Sequence, residues 1–120
     1  MTIDIDEKWG EISNKIWIRD NLECRLIKIL TDKEKEILFK TASKQQLENL
    51  EVAHFISRSQ SKKLYYNENN LFLLNYFSHR CLDEFKCPIS GKILNKEDIY
   101  PWWNRIINND KLFNWLKENK

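Results

Sequence analysis

From residue 9 onward the apolar positions fall at helical intervals. Trp9, Ile12, Ile16 and Trp17 predict an amphipathic helix over residues 9–19. Thr31 followed by Glu34 is a capping-box signature, and Ile37, Leu38, Ala42 and Leu47 carry a helical stripe on to about residue 48. The period then falls to two. Leu50–Ile56 (LEVAHFI) alternates and is β-prone, so it predicts a strand. Ser57–Asn69 is polar and reads as a loop, and Leu71–Leu74 is a second short apolar run that can pair with the first. Tyr76–Phe85 returns to helical spacing, with Phe77, Cys81, Leu82 and Phe85 on one side. Pro88-Ile89-Ser90-Gly91 predicts a turn. Two short helices close the chain, one around Trp102–Ile107 and one from Asp110 to about Lys117. The fold class is therefore α+β, with a strand–loop–strand–helix centre flanked by N- and C-terminal helices.

Composition narrows the class. A chain of 120 residues predicts one domain spanning 1–120, and 42% hydrophobic with 12% aromatic residues is enough for one core. Two glycines and two prolines argue against hairpin-rich all-β architectures. Three cysteines, an odd and small number, argue against a secreted disulfide scaffold and for a reducing cytoplasm. The balance of 20 bases and 18 acids decides little, but its distribution does more: Val52–Asn67 holds no acid, only Arg58, Lys62 and Lys63. No apolar stretch approaches the roughly 20 residues of a membrane span, and the acidic start Met1–Glu7 lacks a basic-then-apolar signal pattern. The expectation is a soluble cytoplasmic protein without a membrane partner. Abundant Lys, Ile and Asn with scarce Ala reads as an AT-rich coding bias.

The only two histidines, His54 and His79, lie inside the central unit together with Asn70. His54 falls on the first predicted strand, Asn70 opens the second, and His79 lies on the helix. With the strands paired and the helix packed across them, the three side chains can converge on one face. A neutral histidine can take a proton from water near pH 7, and a second can offer a ring nitrogen to a divalent metal. Asp83, one helical turn after His79, can serve as a second ligand. Such a set could supply hydroxide and stabilise a phosphate leaving group.

The stretches Glu51-Val52-Ala53-His54-Phe55-Ile56-Ser57-Arg58, Asn70-Leu71-Phe72-Leu73-Leu74 and Ser78-His79-Arg80-Cys81-Leu82-Asp83 resemble the HNH endonuclease motif, a ββα-metal finger that cuts DNA phosphodiesters. The matching region is about residues 50–85. Upstream, Ile18-Arg19-Asp20-Asn21-Leu22-Glu23-Cys24-Arg25-Leu26 resembles the Arg-Asp…Cys segment that opens many such domains. The resemblance implies that His54 is the general base, that Asn70 orients the base and its loop, and that His79 binds the metal, a single Mg²⁺ or Mn²⁺ ion. Two features depart from the family. Its paired CxxC zinc knuckle falls on Cys24, Ile27, Asn75 and Ser78, so one thiolate of four is present and no structural zinc is expected. Apolar packing around Ile27 and the helix after Thr31 is the expected replacement. Ala53 stands where many members carry a metal-binding aspartate, and Asp83 is the candidate to compensate. The partner implied is DNA, with Arg58, Lys62, Lys63 and Arg80 on phosphates. The small domain fits a nickase, a low-specificity enzyme or one catalytic part of a larger nucleoprotein or phage assembly. The alternative is a non-catalytic DNA- or protein-binding module that keeps the fold.

Each residue also has a plainer reading. His54 can be a hydrogen-bonded strand histidine, His79 a helix cap and Asp83 a solvated helix acid. Asn70 sits in the turn-like cluster Asn67-Glu68-Asn69-Asn70, and the basic residues of 58–63 can be a solvated loop. Tyr65 and Tyr66 read as packing at the start of the second strand, with base stacking as the sharper alternative. Tyr100-Pro101-Trp102-Trp103 with Trp115 reads as core, and Cys81 and Cys87 as buried or inert thiols.

Overall fold

The computed structural model describes residues 5–120; the first four residues of the acidic start Met1–Glu7 lie outside them. Helix α1 (Ile5–Arg19) leads to α2 (Arg25–Ile29), α3 (Asp32–Thr41) and α4 (Lys44–Glu48). Strands β1 (Leu50–His54) and β2 (Leu71–Asn75) follow, then α5 (Tyr76–Asp83), α6 (Lys96–Ile107) and α7 (Asp110–Glu118). β1 and β2 pair antiparallel from Leu50↔Asn75 to His54↔Leu71. The class is α+β, and among the described residues no helix is long and apolar enough to cross a membrane.

Alternation along the strands gives each sheet face its own core. Leu71 and Leu73 turn toward α1 and pack with Ile16, flanked by Trp9, Ile12, Leu50 and Val52. Ala53, Phe55, Phe72 and Leu74 turn to the other side, into the main core with Leu82, Trp103 and Phe113. Phe55 lies 5.3 Å from both the Trp103 and Phe113 rings, which seats α6 and α7 beneath the sheet.

Several boundaries differ from the sequence reading: α1 begins at Ile5, β1 ends at His54 and α5 ends at Asp83. The stripe that ran on to residue 48 is broken between α3 and α4. Ser43 caps α4 in a full capping box with Gln46, which outweighs helix continuation through Ala42. The short α2 was not anticipated. Helix α6 begins at Lys96, not Trp102, and carries Pro101 inside it. Acidic residues in its first turn and the i, i+4, i+7 stripe of Ile99, Trp103 and Ile106 hold it across the proline. Of the aromatic C-terminal cluster, Trp103 is core, whereas Trp115 is 42% exposed and is not.

Candidate functional site

The unit β1–loop–β2–α5 places the candidate residues in three small groups. The first surrounds Asn70, which is fully buried. Its Oδ1 accepts from the Ile56 backbone N–H (2.7 Å), while its Nδ2 donates to the carbonyls of Ile56 (2.9 Å) and Leu64 (3.1 Å). The amide thus pins both ends of the loop that joins the strands. Its polar atoms are turned inward, so the side chain does not meet the imidazoles; it holds the loop that follows β1, where Tyr65 lies.

The second group holds His54. Its Nε2 lies 3.0 Å from the Tyr65 carbonyl. A carbonyl only accepts, so Nε2 carries the proton and the neutral ring keeps its lone pair on Nδ1. The ring stacks on Tyr65 (centroids 4.6 Å apart) and on Trp9 of α1 (5.3 Å). Tyr65 therefore packs on the histidine, not at the strand start. Burial lowers the His54 pKa from 6.5, the Tyr65 bond opposes this, and the nearby charge of His79 lowers it further.

The third group is on the opposite face of β1. Glu51 Oε1 lies 2.9 Å from His79 Nδ1, and Asp83 Oδ2 lies 3.4 Å from His79 Nε2. Glu51 fixes Nδ1 as the protonated nitrogen, which leaves the Nε2 lone pair facing a carboxylate. Two acceptors in that position call for a cation between them, either a proton or a metal. His54 and Asp83 line the same cavity, so the two groups are neighbours. Glu51 was not singled out from sequence. The signal was there, since it lies two residues before Ala53 and shares its face. Among the described residues no group of three or more His, Cys, Asp and Glu is placed to hold a metal ion.

The basic residues divide. Arg58 is exposed and lies over the Tyr65 ring at 5.4 Å, next to the His54 stack. Lys62 and Lys63 are exposed on the same loop. Arg80 is exposed but stands over Tyr76, at the start of α5. Lys8, which lies 4.3 Å from the Tyr66 ring centroid, was missed from sequence.

The Arg-Asp…Cys segment is structural. Arg19 and Arg25 both pair with buried Asp20, whose Oδ2 accepts from the Leu73 N–H (3.0 Å). Cys24, Asn75 and Ser78 do meet, but as a hydrogen-bonded cluster. Cys24 Sγ accepts from the Asn75 N–H (3.2 Å) and Nδ2 (3.4 Å), Asn75 Nδ2 donates to Ser78 Oγ (2.9 Å), and Ser78 Oγ donates to the Pro88 carbonyl (2.8 Å). The expected apolar packing is present in part, since Cys24 lies in the core with Leu38 of α3 and Ile27 packs against it, but a buried polar network of Asn75 and Ser78 is added to it.

Comparison of the chain with family models, with curated proteins and with solved structures finds no match.

Proposed function

We propose that the protein hydrolyses phosphodiester bonds in DNA with one divalent metal ion, in the manner of the HNH endonucleases that its central unit resembles. The observation that carries this reading is the pair of imidazoles at the crossing of β1 and α5: His54 with a free lone pair, and His79 with its lone pair turned to a carboxylate. His54 takes a proton from the attacking water; burial keeps it neutral and ready to do so near pH 7. Asn70 is a positioning residue, since the loop it pins carries the Tyr65 carbonyl that orients His54.

His79 and Asp83 are the residues that would hold Mg²⁺ or Mn²⁺. The donor set fits such an ion: a carboxylate behind Nδ1 is the usual outer support of a metal-bound imidazole. Mg²⁺ keeps several waters, so two protein ligands with phosphate and water oxygens suffice. When bound, the ion polarises the phosphate and stabilises the leaving oxygen. Arg58, Lys62 and Lys63 meet the DNA backbone, where cations supply affinity without sequence readout. A phage or mobile-element setting, alone or within a larger assembly, agrees with the coding bias.

Plasmid nicking tests this reading. Wild-type protein with Mg²⁺ or Mn²⁺ is expected to convert supercoiled to relaxed DNA, and His54→Ala to lose about 10²-fold or more of that rate. Ala53 favours a second reading, a binding module that no longer cuts, because it puts a buried methyl group on the face that His79 shares. DNA binding without cleavage in any divalent metal would establish that reading and sink the first.

A further inference from the structure

Beside His54 and Asp83 opens a cavity of about 280 Å³, walled by the loop after β1 and by α6. Its floor is aromatic, with Phe55, Tyr100 and Trp103, and Phe85 stands in its lining. Phe85 is the unusual residue. It follows the C-cap of α5 in the left-handed conformation, φ 57. The Lys86 N–H closes back on the Cys81 carbonyl at 2.7 Å, a helix-ending turn that favours glycine at this position. A bulky side chain there is strained. Burial does not offset the strain, because Phe85 is 44% exposed. The chain thus keeps an open aromatic ring, at a cost to its own stability, on the wall of a cavity next to the candidate base. Strain of this kind concentrates where a ligand is bound.

The polar rim fits a heterocycle. Gln60 Oε1 already accepts from the Ser57 backbone N–H (3.1 Å) and from Ser57 Oγ (3.2 Å), so only its amide N–H groups remain to donate outward. Lys96 lies on the same rim. The volume falls just under the roughly 300–1,000 Å³ of ordinary small-molecule pockets and suits a single flat ring system.

We propose that this cavity seats one unpaired nucleobase of a DNA strand, stacked on Phe85, with the Gln60 amide donating to a ring nitrogen or carbonyl oxygen of the base and Lys96 facing the adjoining phosphate. The inference rests on the phosphodiesterase reading in that the base belongs to the nucleotide next to the phosphate at His54 and Asp83. Base stacking on an aromatic side chain tolerates any sequence, so the site selects for an unpaired strand, not for a base identity.

Fluorescence anisotropy in EDTA, with a short labelled single strand and a blunt duplex of equal length, tests it without turnover. The wild type is expected to prefer the single strand. Phe85→Gly is expected to weaken single-strand binding roughly 5- to 150-fold, to leave duplex binding unchanged, and to melt at the same or a higher temperature because the strain is relieved. Phe85→Trp is expected to bind the single strand as the wild type does. Equal single-strand affinity for wild type and Phe85→Gly, a matching loss on the duplex, or no preference in the wild type overturns the inference. Plasmid nicking separates the two ideas. A wild type that binds through Phe85 and cuts nothing overturns catalysis alone. A wild type that cuts while Phe85→Gly changes nothing overturns the base site alone.

Discussion

Replacing Asn70 with alanine removes three hydrogen bonds at once. The buried Ile56 N–H and carbonyl lose their partner, whereas the Leu64 carbonyl keeps the Asn67 N–H (3.1 Å). An unpaired buried polar group costs about 1–3 kcal/mol. Water can reach part of the loop, since residues 57–60 are exposed, so the low end applies to each. For the two Ile56 groups the sum is about 2 kcal/mol, a sizeable share of the ~5–15 kcal/mol that holds a domain of this size. Urea unfolding of Asn70→Ala should therefore show a midpoint roughly 1 M lower at similar slope. Asn70→Asp sharpens the test. It keeps an acceptor for Ile56 N–H but sets a carboxylate against two carbonyls at 2.9 and 3.1 Å. Only its protonated form can donate to them, so its folded pKa rises above the unfolded value near 3.9. Its stability is then greatest at low pH and falls as pH rises through the folded pKa, opposite in sign to an ordinary paired aspartate. A loss under 1 kcal/mol in Asn70→Ala, or an Asn70→Asp variant that gains stability with rising pH across that range, would show that the amide does not hold the loop.

Arg105 bonds both oxygens of Glu34 (2.7 and 2.8 Å), and with this bond as the main cause its carboxyl is lowered to about 2. That stabilisation is present above pH 4.5 and is lost as pH falls toward 2. Solvent screens this half-open pair, so Glu34→Gln should cost about 1 kcal/mol at pH 7 and nothing near pH 2, read by denaturation at both pH values. The depressed His54 pKa predicts an imidazole that titrates below 6.5 by NMR, and a contribution to stability that is complete above 6.5 and lost as pH falls through the folded value. Trp9→Ala uncovers the ring and should move that titration back toward 6.5; no movement would show that the Trp9 stack does not desolvate it. Burial pushes the Cys81 thiol up to about 11, and Cys24 is buried in its hydrogen bonds. Half-exposed Cys87 should therefore be the first thiol to react with an aromatic disulfide reagent in the native protein, and rapid reaction of all three would contradict this packing.

What could be read from the sequence was whatever local chemistry fixes. The Thr31–Glu34 box starts α3 as expected, because the cap bonds form within four residues. The change of period at Leu50 locates β1, and the apolar run after Asn70 locates β2. What tertiary packing decides was not legible. Which face of β1 meets α5 depends on α1 covering the other face, so the contact of Glu51 with His79 and the stacking of Trp9 on His54 follow only once both cores are assembled. The placement of Trp115 has the same cause. On α7 the residues Leu112, Phe113 and Leu116 define the buried stripe, and Trp115 falls at its edge. Phe85 was read as part of a helical face, but α5 ends two residues earlier and the ring turns outward.

The cluster around Cys24 ties four segments together through side-chain hydrogen bonds. Cys24 caps α2, Asn75 ends β2 and caps α5, and the Pro88 carbonyl belongs to the turn before α6. A tetrahedral ion at this point would tie four positions through one centre. Asn75 does comparable work with directional bonds: its Oδ1 caps the Ser78 N–H while its Nδ2 reaches both Cys24 Sγ and Ser78 Oγ. Because Asn75 and Ser78 are fully buried, each unmade bond would carry a desolvation cost, and the cluster is stable only as a complete set. It fixes the N-terminus of α5, the helix that carries His79 and Asp83, one turn before His79 itself. The N-terminus of α5 is therefore held by side-chain amide and hydroxyl groups, which do not titrate across the range in which His54 changes its charge.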